Sequence, residues 1–366
     1  MASTIYLLPA IIIFCYIPSV SAFVTTQFQM WYPEWDFIFK RILRENCTEE
    51  YKYYLGGQRN ETRLSLFDRW VGASWTSAVV QPVASCILSN TSDWIKSEMA
   101  SAAVVLGLTP PILAALGPSI EETATLFLIA PRSFLVTCLA AGSPAVNPFR
   151  ALEYTNPLDI LNQREHRLKF PTFPGWAHSI ILLVEYLIIA AAIANMATVT
   201  RDLGLKASYT FAPQLVYLPL LWAYLGSLAH GFGVMALRLR LKRSKSPDDP
   251  RRLNWFHAQI KPLALQDAEH FQRFTVVGES FPYILFSWLT SVGIACHIIF
   301  GTLTFSSVLF ISVRDSVFVM LRFMASVLLC RSVLMYELAI LRNQWNDKSE
   351  EEDNELLIQK TSHNVV

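Results

Sequence analysis

"LGLTPPILAALGPSIEETATLFLIAPRSFLVTCLAAGSPAVNPFR", residues 106–150, decides the topology of this chain. The stretch is apolar enough to enter a bilayer, yet it carries Pro110 and Pro111, Glu121, Glu122 and Arg132. It crosses once, crosses twice, or dips in and returns. A crossing helix needs about 20 residues. Broken, polar backbone survives at membrane depth only where it is buried in protein or lines water. The charges on either side choose between these readings.

Downstream, 175–199 and 211–237 are each long and apolar enough to cross. The region 276–341 is broken near Arg314 and Asp315 and reads as two further helices, 279–301 and 316–338. Between them "TLTFSSVLFISVRD" is rich in Ser, Thr and β-branched residues and reads as a surface loop. The connector 238–275 holds nine Lys and Arg, seven of them in "RLRLKRSKSPDDPRR". The positive-inside rule puts that connector in the cytosol.

Residues 23–98 point to the other side. They contain three sequons, at Asn46, Asn60 and Asn90, behind an N-terminus that reads as a signal peptide. "IYLLPAIIIFCYI" supplies the apolar core and Ala22 the expected cleavage position, with an uncleaved anchor as the alternative. An odd number of crossings therefore separates residue 98 from residue 238. Two are clear, so the opening stretch supplies one net crossing. Either "MASAAVVLGLTPPILAALG" or "ETATLFLIAPRSFLVTCLAAG" crosses, and the other is re-entrant or lies at the interface.

The composition agrees. The 366 residues are 53% hydrophobic and 16% charged, against about 25% charged in soluble domains. Net charge is +1, which gives no bias toward nucleic acid. The expected fold is all-α, a polytopic membrane helix bundle of about five spans with a small N-terminal extracellular or luminal domain. Its parts are a signal peptide at 1–22, the glycosylated domain at 23–98, the bundle at 99–342 and an acidic, disordered cytosolic tail at 343–366.

The glycosylated domain holds 14 aromatic residues, enough for a small core, and two cysteines, Cys47 and Cys86. Two cysteines in an oxidising compartment suggest one disulfide. Within the tail, "EDNELL" has an acid four residues before a Leu pair. Glu352, Leu356 and Leu357 thus resemble an acidic dileucine sorting signal, which makes a sorting adaptor an expected partner beside the lipid bilayer.

No catalytic spacing is present: no phosphate-binding Gly-rich loop, no H-E-x-x-H, no G-x-S-x-G and no C-x-x-C. No catalytic residue, cofactor or metal is expected. Ionisable residues in apolar spans cost about 2.5–3.5 kcal/mol each on insertion scales and are functional candidates by default. Here they are His178, Glu185, His230, His297, Arg322 and Arg331, with Glu279 beside them. His178 and Glu185, seven apart, share a helix face. His178, His230 and Glu279 are expected near span ends, within reach of water. Glu185 and Arg331 lie at comparable depths, roughly 16 Å and 11 Å from the cytosolic side at 1.5 Å per residue, and are expected to pair. These groups read as ion pairs and interhelical hydrogen bonds. The alternatives are a proton or solute path, and a metal or acid–base site.

At "LGLTPPILAALGPS", "LAAGSPAVNPFR", "SSVLFISVRD" and "CRSVLMYEL" the chain resembles uncharacterised multi-pass membrane proteins of filamentous fungi. The resemblance covers most of 97–340. It implies a source and a membrane location and no mechanism.

The expected function is that of a non-enzymatic membrane protein for scaffolding, sensing or interaction. It is placed in the secretory pathway, at the plasma membrane or a vacuolar or endosomal membrane, with its N-terminus outside and its C-terminus in the cytosol. The alternatives are a transporter or channel-like protein, and a membrane enzyme of secondary metabolism. The sequence names no small-molecule ligand.

Overall fold

A computed structural model of the chain describes residues 26–58, 77–130, 132–147, 161, 174–243, 259–265 and 274–363, the last of these by backbone alone from 348 on. The expected signal peptide, Asn60 and residues 244–252 of the basic run lie outside them. Five helical segments are long and apolar enough to cross a bilayer: Asp93–Leu116, Gly175–Lys206, Leu218–Arg240, Phe281–Ser306 and Val313–Asp347. The chain divides into two compact units, Met1–Ala115, Ala194–Leu225 and Cys296–Ser326 forming one and the remainder the other.

In the first unit, α1 (Asp36–Glu45), α2 (Thr48–Leu55) and α3 (Ser77–Ser89) form a small helical domain. A Cys47–Cys86 disulfide, Cα–Cα 5.9 Å, ties the N-cap of α2 to α3. Closing a loop of this length stabilises by about 3–4 kcal/mol in the chain-entropy model. Ser92 caps α4 (Asp93–Gly107) by accepting from the Ile95 amide, and α4 leads at once into α5 (Thr109–Leu116). Pro110 and Pro111 do not break this run because they fall in the first turn of α5, where amide donors have few intrahelical acceptors to lose. The helix α4 runs straight through residue 98, the expected boundary of the small domain.

The segment expected as a surface loop is buried. α10 (Phe281–Ser306) extends through "TLTFS", and the short turn to α11 (Val313–His363) holds Val308, Phe310, Ile311 and Ser312, all fully buried. Phe310 packs edge-on to Trp31 and Phe39 at 5.5 Å and to Phe28 at 5.9 Å. The aromatic residues of the small domain are the lid that sequence composition alone could not place over this turn. Phe28 and Phe310 both have positive φ, 63° and 67°, a conformation costly for a bulky side chain and held here by the packing around it. A two-residue pairing of β1 (Ser208–Tyr209) with β4 (Val308–Leu309) closes the same end.

The second unit contains the stretch quoted above. After α5 come α6 (Ile120–Ile129) and α7 (Ser133–Gly142), each ten residues or about 15 Å long. Neither reaches across a hydrocarbon core of about 30 Å. They form a hairpin whose base is closed: the Asn147 amide donates to Pro118 O at 3.1 Å, beside a parallel bridge from Ser119 to Asn147. A Cβ on Gly117 would sit 2.7 Å from that of Ala145, so only glycine permits this approach. The segment leaves the point at which it arrived. Of the two stretches, the first forms the long helix and the second folds back on itself as a hairpin.

Four long helices, α8 (Gly175–Lys206), α9 (Leu218–Arg240), α10 and α11, contribute one part to each unit. In the second unit the core is built from Leu126, Ile129, Leu135 and Leu139 of the hairpin against Ile189, Val333, Leu334 and Leu341. β2 (Leu241–Arg243) pairs with β3 (Phe274–Val276) to close the long connector. α11 continues as helix to His363, through the residues of the expected acidic tail. From Val313 on it meets no Gly or Pro, and its last part is rich in Glu, Leu, Lys and Gln, all good helix formers.

Candidate functional site

The ionisable residues sort themselves into three sets of neighbours. In the first unit Arg322 donates to Asn195 Oδ1 at 2.9 Å and to Thr198 Oγ1 at 2.7 Å, and lies 4.0 Å from Asp202. The Asn195 amide returns a bond to Arg322 O at 2.8 Å and one to Ser326 Oγ at 2.8 Å. Asn195 thus uses both ends of its side chain to fix α8 to α11. Tyr32 of the small domain lies buried near Asp202, Asp315 and Arg322, and Lys206 stands 5.6 Å over its ring. Burial first, then the two carboxylates, pushes the Tyr32 phenol well above its ordinary range, and Arg322 opposes them. His297 of this unit stacks on Trp222 at 5.3 Å, next to Gly301, where a Cβ would collide with the indole.

In the second unit, Ser119 and Glu122 form a capping box at the start of α6. The same Glu122 carboxylate receives Arg331 in a fork, one bond being 3.0 Å from Nη2 to Oε1. The expected Glu185–Arg331 pair is therefore not formed. Arg331 is claimed by the helix start that the hairpin brings to it, a neighbour that depth along the bundle could not reveal. His230 is buried within α9, its Nδ1 3.0 Å from Thr123 Oγ1, and so is not at a wet span end as expected. His178 is partly exposed and Glu279 is exposed, just before α10.

The third set is the candidate site. Arg132 stands at the tip of the hairpin as the N-cap of α7 and is fully buried. Its Nη2 donates to Lys261 O at 2.9 Å and lies 3.8 Å from Glu337 Oε1. Glu337 and Glu185, 2% and 5% exposed, are both buried and line the same cavity. Arg132 Nε and Nη1, Glu185 Oε1 and Glu337 Oε2 have no hydrogen-bond partner among the described residues. These groups line a cavity together with His178, Tyr336 and Pro262. His178 and Glu185 do share one helix face, as their spacing predicts. The cavity is small, with room for roughly one water molecule.

Residues 259–265 of the connector border this site. Gln259 accepts from the Phe134 amide at 3.2 Å through its side chain and from Tyr186 Oη at 3.2 Å through its carbonyl, while Gln344 donates to Leu263 O at 2.9 Å. Residues 259–265 are thus pinned from α7, α8 and α11. Sequence reasoning missed Glu337, Asn195 and Gln259. Glu337 fell at the assigned end of the last span, where a charge draws no comment. The two amides were legible only as neutral polar residues in or beside apolar stretches, the kind that bond across helices.

Among the described residues, no group of three or more His, Cys, Asp or Glu is placed to hold a metal ion. His178 and Glu185 meet in one cavity, while His230 and His297 each have other neighbours. Asn46 and Asn90 are exposed and lie beside the disulfide. Glu352, Leu356 and Leu357 fall in the helical continuation of α11, and their side chains lie outside the described residues.

The architecture defines the class: an all-α polytopic helix bundle, an integral membrane protein whose apolar helices suit a lipid bilayer. No family model, no curated protein and no solved structure matches the chain.

Proposed function

We propose that this is a non-enzymatic multi-pass membrane protein of the secretory pathway whose small N-terminal domain, outside and glycosylated, serves scaffolding, sensing or interaction. The observation that carries the reading is the seating of that domain. Phe28, Trp31 and Phe39 close over Phe310 in the turn between α10 and α11. A ligand or partner on the domain would therefore act directly on the helix turn. The paired state of Arg331 with Glu122 and of Arg322 with Asn195 also supports a structural role for those charges. The C-terminal helix faces the cytosol in this reading, and Glu352, Leu356 and Leu357 engage a sorting adaptor that sends the protein to a vacuolar or endosomal membrane. The likeness to fungal membrane proteins makes a filamentous fungus the proposed source.

One observation favours a second reading, a transporter: the buried Arg132–Glu185–Glu337 set with its unpartnered polar atoms. Reconstitution in liposomes with an internal pH-sensitive dye separates the two. The interaction reading expects proton flux no faster than in empty liposomes under an imposed gradient. Flux several-fold above that background, lost in Glu185→Gln, would replace it with the transporter.

A further inference from the structure

We infer that the β2–β3 ribbon is a docking surface for anionic phospholipid headgroups of the leaflet it meets. Its place in the chain fixes its depth. α9 ends at Arg240 and β2 starts at Leu241, while β3 ends at Val276 and α10 starts at Phe281. Both helices are long and apolar enough to cross. A ribbon joined directly to two span ends lies at the level of the headgroups. It is also held there. Leu241 is buried with Ala124, Val234 and Leu237, and Phe274 packs on the same cluster. The Val277 amide donates to Arg240 O at 2.9 Å, and Thr275 Oγ1 donates to Lys242 O at 3.2 Å. Arg240 donates to Tyr283 Oη at 3.0 Å and stands 5.2 Å over its ring, which ties the end of α9 to the first turn of α10.

What the ribbon turns outward is both basic and apolar. Arg238 and Lys242 are exposed and make no ion pair among the described residues. Beside them Leu239, Val276, Val277 and Phe281 are 40%, 39%, 41% and 78% exposed. Such a mixture suits neither open water nor hydrocarbon. It suits the layer between them, where apolar side chains enter the acyl region and long basic ones reach back to phosphate. Charge selects among headgroups. Residues 238–243 and 274–281 hold four Lys and Arg against one acid, Glu279. A surface of that sign favours lipids with net negative charge over zwitterionic ones. The inference rests on the bilayer-spanning architecture and not on which side of the membrane the ribbon faces.

Electron paramagnetic resonance on the full chain in phosphatidylcholine vesicles tests this, with trace spin-labelled phosphatidylserine or phosphatidylcholine in both leaflets. The phosphatidylserine label should show the larger motionally restricted fraction. That excess should vanish in about 1 M salt, where exposed charges are screened beyond about 3 Å. Arg238→Gln with Lys242→Gln should reduce it several-fold, since each Lys or Arg at the surface is worth about fivefold in affinity for an anionic leaflet. The charge-conserving Arg238→Lys with Lys242→Arg should keep it, which separates loss of charge from loss of fold. Equal restriction of the two labels in the unmodified protein would overturn the inference. An excess that survives the double Gln change, or one that survives high salt, would take the headgroups away from this ribbon. Displacement of the label by millimolar soluble glycerophosphoserine at constant ionic strength would mean that a free anion suffices, and would overturn the membrane surface as the occupant.

Discussion

Glu122 serves two helices at once: it closes the capping box of α6 by accepting from the Ser119 amide at 2.9 Å, and it holds Arg331 of α11 in a two-bond fork. Cap and ion pair share one carboxylate. Losing Arg331 therefore also loosens the start of the hairpin.

That sharing sets a double-mutant cycle. Glu122→Gln keeps a residue able to complete the cap, while Arg331→Gln keeps a polar side chain without charge. The two changes should couple by about 1–2 kcal/mol in thermal unfolding, above the range of exposed pairs because both groups are mostly buried. The same cycle run on Glu185 and Arg331 should give coupling near zero. Coupling concentrated in the second pair would mean that Arg331 faces Glu185 after all.

The helices of the bundle were legible because their apolar runs are long, and five emerged from both readings. Parity of charge led to one net crossing as the expectation for the quoted stretch. It could not show which half, because Pro110 and Pro111 look like breaks until their place in the first turn of α5 is known. The partners of charges were the least legible. Depth along a span orders residues on one axis, whereas Arg331 chose Glu122 through the lateral position of a hairpin. Glu337 escaped notice for a related reason: a charge at a span end looks solvated, and here residues 259–265 cover it.

Phe310→Ala should destabilise the first unit by about 3–5 kcal/mol, the usual cost of removing a buried aromatic side chain. Removing the ring takes away the contact that Phe28, Trp31 and Phe39 converge on. The small domain should then melt before the rest, visible as an early near-ultraviolet circular dichroism transition. A single unshifted transition would show that the domain is held by other contacts.

Tyr32 gives a pH dependence with a definite sign. Its phenol titrates in the folded protein above its ordinary value of 10.0, so the folded state keeps a proton that the unfolded state gives up. The stability it contributes is full below about pH 10 and is lost as pH rises from there toward the folded value. Tyrosinate absorbance should show Tyr32 ionising only as the domain unfolds. Tyr32→Phe should flatten the fall in melting temperature on the alkaline side. An unchanged slope in that variant would assign the alkaline loss to another group, Tyr54 being next in line because burial raises it as well.

The last prediction joins the disulfide to the glycans. Asn46 precedes Cys47, and the Asn90 side-chain amide donates to Cys86 O at 2.9 Å and lies within 3.9 Å of both sulfurs. Both side chains are exposed, but an Asn amide committed to the backbone in this way is poorly placed to accept a glycan. Occupancy at Asn90 should therefore depend on modification before the bond closes. If the domain is outside, endoglycosidase treatment should shift the unmodified chain, and Asn46→Gln should remove one step of that shift. Cys86→Ser should raise occupancy at Asn90, read as a larger fraction of the more heavily glycosylated form and cancelled by Asn90→Gln. Equal occupancy with and without the disulfide would mean that the amide is free when the transferase meets it. No shift at Asn46, Asn60 or Asn90 would reverse the orientation, and with it the placement of every connector in the bundle.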